Sequence, residues 1–193
     1  ILAGELPCGN RLAGKLINAA SSAVSSLTVR HYSAHYHPTC LTIYPATVCN
    51  LNCVYCFAEK SHAQKIYLSD ELIYNAARKV LQNCKAQHVP FTAVFHGGGE
   101  PTQDSNLREL IYTLRRMADR ANVPFHSYIA TNGVMSAAMA GWMAVNFDEI
   151  GLSVDGPPEI QNTQRPLKNG GEAAAGGAGA AAILKKNKKK LSV

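Results

Sequence analysis

Cys49, Cys53 and Cys56 stand in the run Cys-Asn-Leu-Asn-Cys-Val-Tyr-Cys, three thiols within eight residues. Thiolates are soft ligands, and three at this spacing can hold three irons of a [4Fe-4S] cluster. The ordinary complement of such a cluster is four cysteines, so one iron would stay open to a small molecule. The same thiols also suit a structural zinc in Cys3His coordination, with His62 as the fourth ligand. A disulfide framework is the weakest reading, because a chain of this length buries enough surface to hold a core without cross-links. Cys8, Cys40 and Cys84 lack ligand spacing and read as small buried apolar residues. His31, His35 and His37, interleaved with Tyr32 and Tyr36, read as a polar linker rather than a metal site.

A second constellation follows the strand-like run Phe-Thr-Ala-Val-Phe-His. It is Gly97-Gly98-Gly99-Glu100-Pro101, placed at the carboxyl end of a strand, where parallel α/β folds bind ligands. Glycines there let backbone approach a ligand, and a carboxylate can accept hydrogen bonds from an ammonium group. The glycines alone serve a tight turn equally well.

These residues need a scaffold, and the apolar pattern supplies one. Residues 41–44, 91–95, 125–130, 149–154 and 190–193 are rich in strand formers. Ser69 can cap a helix through Leu72, Ile73, Ala76, Val80 and Leu81. Asp104 or Ser105 can open one through Leu107, Leu110, Ile111, Leu114 and Met117, and a weaker helix covers 135–145. Strands alternating with helices specify βα units and a parallel sheet. Residues 40–193 thus form the expected core, with 1–39 as an appendage in which Leu12, Leu16, Ala19, Ala20, Ala23 and Leu27 share one helical face. The sheet is expected to stop within its fifth strand, with the working polypeptide beginning before Ile1 and continuing past Val193. Residues 173–182 contain only Ala and Gly, and are expected as a helix in which larger apolar side chains would belong.

Composition narrows the partners. Of the net charge of +6, Lys185, Lys186, Lys188, Lys189 and Lys190 supply five, so the charge describes one segment and not a basic face. Nucleic acid is therefore not an expected partner. No run approaches the ~18 apolar residues of a membrane span, and the N-terminal residues lack the order of a signal peptide. A cytoplasmic protein is expected.

The spacing C-x3-C-x2-C, followed about 40 residues later by a strand and Gly-Gly-Glu-Pro, resembles the radical S-adenosylmethionine enzymes. Thr131-Asn132-Gly133, Ser153-Val154-Asp155-Gly156-Pro157 and Arg165-Pro166 follow in order at later strand ends. The set is similar to the branch of anaerobic sulfatase-maturing enzymes and SPASM-type peptide maturases. It covers residues 41–166 closely, 167–193 loosely, and leaves the first forty unmatched.

The resemblance implies an α/β fold, a partial parallel (β/α)6 open barrel. Cys49, Cys53 and Cys56 would hold the [4Fe-4S] cluster, and S-adenosyl-L-methionine would chelate its open iron. Gly98, Gly99 and Glu100 would receive the amino group, Tyr55 and Phe57 would flank adenine, and Ser153 would reach the ribose. Arg165 would meet the methionine carboxylate, and Asn132 would support the site from the third strand. One electron, from a reductant such as flavodoxin or ferredoxin, would cleave the cofactor to a 5′-deoxyadenosyl radical that takes hydrogen from a substrate. Sulfatase-maturing members read Q-G-G-E-P and C-F-Y where this chain has Gly97-Gly98-Gly99-Glu100-Pro101, preceded by His96, and Cys56-Phe57-Ala58. That departure favours a ribosomally made peptide, crosslinked or epimerised, over a sulfatase, with His96 near the substrate. No cysteine follows Cys84, so auxiliary clusters are not carried by these residues. The alternatives are a small-molecule or nucleotide-modifying member, a glycyl-radical activase and, outside the family, a zinc-stabilised binding protein.

Overall fold

The computed structural model describes residues 36–58, 65–187 and 189–192. The appended helix expected before residue 36, and His62, lie outside these. His37–Val193 forms one compact unit and carries every element named below.

Five strands, β1 (Cys40–Ile43), β2 (Phe91–Phe95), β3 (Phe125–Thr131), β4 (Glu149–Leu152) and β5 (Lys190–Ser192), form one sheet in the order β1-β2-β3-β4-β5. Every neighbouring pair is parallel, so all strand C-termini point to one edge. The expected α/β class with a parallel barrel-type sheet is the fold observed.

Each crossover holds a helix whose apolar stripe covers one sheet face. Helix α1 (Asp70–Gln87) is capped by Ser69, whose Oγ accepts the Leu72 N–H at 3.2 Å, and it buries Ile73, Ala77, Val80, Leu81 and Cys84. Helix α2 (Leu107–Ala121) buries Leu107, Leu110, Ile111 and Leu114 at helical spacing. Phe91, Ala93 and Phe95 alternate inward along β2 to meet them. Helix α3 (Ala137–Asn146), capped by Ser136, closes the layer with Met143 and Ala144.

Several boundaries differ from expectation. Pro101–Gln103 forms a 3-10 turn capped by Glu100, and Asp104 accepts the Asn106 N–H, so α2 starts at Leu107 behind Asn106 rather than at Asp104 or Ser105. Strand β4 stops at Leu152, ahead of the Asp155-Gly156 turn. Helix α4 (Pro158–Gln164) was not foreseen, although Pro at the first helical position is its ordinary signal.

The Ala/Gly segment forms helix α5 (Ala174–Lys186), with Ala180 and Leu184 buried. A Cβ on Gly133 would stand 3.1 Å from the Gly177 Cα, so small residues let α5 approach the turn after β3. The expected helix is present, and it approaches this turn closely. Among the described residues, no helix is long and apolar enough to cross a membrane.

Candidate active site

The cysteines occupy the loop that follows β1, and this loop is stitched on two sides. Toward α1, Thr47 donates to the Ile66 carbonyl at 3.0 Å, Leu68 donates to that of Pro45 at 2.9 Å, and Ala46 bridges Tyr67. Toward the segment after α4, Asn52 donates to Pro166 at 2.8 Å, Val54 to Gln164 at 3.0 Å, and Lys168 to Asn50 at 3.1 Å. Leu51 is buried in the middle and bridges Leu167. A loop that exposes Val54, Tyr55 and Phe57 is thus fixed by backbone pairing.

All three thiols border one cavity of about 580 Å³, together with Phe57 and Gly97, Gly98 and Gly99. Tyr44, Thr47, His96 and Lys168 complete much of its wall. Burial pushes the Cys49 and Cys53 thiols up, so metal binding there must displace protons. Three thiols that line one cavity are a donor set suited to iron and sulfide.

The glycine run plays two parts. Gly98 has φ +81°, in the left-handed region, and with Gly97 it borders the cavity. Gly99 instead presses on the cysteine loop: a Cβ there would lie 2.3 Å from the Val48 carbonyl oxygen and 2.8 Å from that of Ala46. The next N–H, that of Glu100, donates to the Val48 carbonyl at 2.8 Å.

Glu100 is tied into the protein on both carboxylate oxygens. Its side chain is turned inward and the residue is only 3% exposed. Oε1 accepts from the Thr102 N–H at 3.1 Å, the Thr102 hydroxyl at 2.8 Å and the Thr131 hydroxyl at 2.7 Å. Oε2 accepts the Asn132 N–H at 2.7 Å. A carboxylate offers about four acceptor sites, so this one is engaged by the protein and ties the end of β2 to the end of β3 rather than facing the cavity. Burial pushes its carboxyl up, and these four hydrogen bonds oppose that. Glu100→Gln keeps the shape but turns one acceptor into a donor, so a buried N–H or O–H loses its partner. The expected loss is about 1–3 kcal/mol, read as a fall in melting temperature of roughly 2–4 °C per kcal/mol. An unchanged melt would contradict this assignment.

Asn132 lies beside the ligand loop, its Nδ2 3.9 Å from Cys49 Sγ and 2.8 Å from Asn50 Oδ1. Tyr55, Ser153 and Arg165 are not part of the cavity wall formed by the thiols. Arg165 pairs with Asp155 at 2.8 Å and stands over the Tyr55 ring at 5.4 Å, while the Tyr55 hydroxyl donates to Asp155 at 2.6 Å. The Arg165 hydrogen bond heads the causes that hold Asp155 below the usual carboxylate range. Burial and the bond to Asp155 push Tyr55 up to about 12. Ser153 continues the β4 ladder through its N–H to Thr131 at 2.9 Å. Sequence reasoning named Asp155 and Thr131 only as parts of motifs, and it gave Asn50 and Thr102 no role. An Asp at a strand end followed by Gly was the available signal for Asp155. The other three are ordinary turn and strand residues without one.

A parallel sheet that gathers three thiols and a glycine turn at one edge defines a class, and the family comparison states it: residues 43–175 match the Radical SAM superfamily model, and the chain belongs to that superfamily. Members of this superfamily use a [4Fe-4S] cluster and S-adenosylmethionine. The chain is 32% identical over 136 residues to a cysteine-type anaerobic sulfatase-maturating enzyme of Clostridium perfringens, covering 66% of this chain and 36% of that one. It is 36% identical over 86 residues to 7,8-dihydro-6-hydroxymethylpterin dimethyltransferase of Methanocaldococcus jannaschii, covering 45% and 15%. Among solved structures, native anSMEcpe with bound AdoMet superposes with a TM-score of 0.69 at 30% identity, over 80% of this chain and 42% of that one. The same enzyme with AdoMet and the Cp18Cys peptide gives 0.68 at 29%, over 79% and 41%. The chain therefore spans well under half the length of the relatives it matches.

Proposed function

We propose that this chain is the cofactor-binding part of a peptide-modifying radical S-adenosylmethionine enzyme. The observation that carries the reading is the cavity shared by Cys49, Cys53, Cys56 and the Gly97–99 turn at the C-terminal edge of the sheet. Cys49, Cys53 and Cys56 would hold the cluster. The backbone of Gly98 and Gly99 would take the amino group of S-adenosylmethionine, with Glu100 fixing that turn from behind. Phe57, 89% exposed at the rim, would flank adenine. Ser153 and Arg165 keep their motif-based roles toward ribose and carboxylate, with Asp155 orienting both Arg165 and Tyr55. When bound, the two groups supply an electron at low potential and a carbon radical able to take hydrogen from an unactivated C–H bond.

The protein's own share is placement. The stitched loop fixes where the thiols stand, Gly98 gives the turn its left-handed bend, and the sheet edge positions whatever enters. A peptide or protein side chain is the substrate class supported by the sulfatase-maturating relatives and by the peptide held in the solved neighbour. A one-electron carrier such as flavodoxin or ferredoxin would serve as reductant, in the cytoplasm.

The test is chemical. Anaerobically reconstituted protein, with a reductant and S-adenosylmethionine, should show absorption near 400 nm and release 5′-deoxyadenosine, detected by liquid chromatography. Zinc in place of iron, with no nucleoside released, would overturn the reading.

A further inference from the structure

Two carboxamides join the cysteine loop to the end of β3, and the backbone of one residue fixes them both. The Val134 N–H donates to Asn132 Oδ1 at 2.8 Å, and the Val134 carbonyl accepts from Asn50 Nδ2 at 2.7 Å. A backbone N–H can only donate and a carbonyl can only accept, so neither amide is free to flip. Asn132 must then turn its NH2, and Asn50 its oxygen, toward one another, and they meet at 2.8 Å.

The same Asn132 nitrogen has a second N–H, and its neighbour is Cys49 Sγ at 3.9 Å. The Leu51 backbone N–H reaches that sulfur as well, at 3.4 Å. Asn132 is itself immobilised, 7% exposed and with its own N–H on the buried Glu100 carboxylate at 2.7 Å. A buried acid in the turn after β2, the residue after β3 and a ligand-loop thiol thus form one connected chain of polar groups.

We infer that Asn132 is a positioning residue that tunes a cluster ligated by Cys49, with Asn50 and Val134 aiming its amide at the sulfur. The inference rests on the cluster reading above. Hydrogen bonds to ligand sulfur set the potential of iron–sulfur centres, because donors facing a thiolate favour the state with the greater negative charge. A charged acceptor makes the stronger bond, so the contact matters more to a metal-bound thiolate than to a thiol. Without the Asn132 amide the reduced cluster is less favoured and the potential falls.

The experiment is a dye-mediated redox titration of anaerobically reconstituted protein, followed by electron paramagnetic resonance, on the parent and Asn132→Ser. A Ser hydroxyl can still accept the Val134 N–H, is too short to reach Cys49, and changes no charge. Iron content should be equal. At the potential where half the parent cluster is reduced, the reduced-to-oxidised ratio of the variant should drop threefold to tenfold, tenfold being ~59 mV for one electron. Superimposable titration curves at equal iron would overturn the inference while leaving the cluster reading intact. Should Asn132→Ser fail to hold iron, Asn50→Ala is read against the same criterion, since it keeps Asn132 and its Val134 bond but removes the acceptor that aims the amide. A parent that takes up no [4Fe-4S] cluster would overturn both readings together.

Discussion

Single replacement of Cys49, Cys53 or Cys56 by Ala is expected to take bound iron from about four per chain to near zero after anaerobic reconstitution. Three protein thiols are the minimum that leaves one iron open, so the loss of any one strips a ligand that no neighbour replaces. Among the described residues, the remaining cysteines cannot substitute. Cys84 is fully buried in α1 with its thiol on the Thr39 carbonyl, and Cys40 opens β1, at the other end of the strand from the ligand loop. Cys84→Ala serves as the control, with iron unchanged and only a modest loss of stability, as expected for a small core deletion. Colorimetric iron and sulfide on the purified proteins would decide it. Iron retained in any ligand variant at the parent level would remove that cysteine from the ligand set.

What was legible in the sequence was whatever depends on period and order. The strands announced themselves as short β-branched and aromatic runs, the first helix as an apolar stripe behind Ser69 and the second as a stripe from Leu107, and their alternation required a parallel sheet. The three thiols were legible because ligand spacing is local. Roles that depend on which way a side chain turns were not. Glu100 sits in the same turn whether it faces the cavity or the core, and only the positions of Thr102, Thr131 and the Asn132 N–H turn it inward. Asp155 was hidden for the same reason, since its partners Tyr55 and Arg165 come from elements that meet only in the folded chain. The Ala/Gly segment was legible as a helix, and α5 packs through Ala180 and Leu184 as well as through the close approach of Gly177 to Gly133.

The three glycines of the turn are expected to respond very differently to an added methyl. If Gly97, Gly98 and Gly99 were all there to admit a ligand, Ala at each would weaken binding and leave the fold alone. The structure separates them. At Gly97 the new Cβ meets the Tyr44 ring at 3.4 Å, an ordinary van der Waals contact with a half-exposed side chain, so Gly97→Ala should cost under ~1 kcal/mol, as surface changes do. At Gly99 the contacts are backbone: the Val48 oxygen at 2.3 Å, the Thr47 carbonyl carbon at 2.7 Å and the Ala46 oxygen at 2.8 Å. These atoms cannot move independently, because Thr47 is held to Ile66 and Val48 to the Glu100 N–H. Relief requires shifting residues 46–48, and Cys49 with them. Overpacking of this kind costs about 3 kcal/mol or more, which at roughly 2–4 °C per kcal/mol is a fall in melting temperature near 10 °C. Gly99→Ala should therefore melt early even as metal-free protein, while Gly97→Ala melts with the parent. Equal melting of the parent, Gly97→Ala and Gly99→Ala would mean that the turn and the cysteine loop do not pack as described.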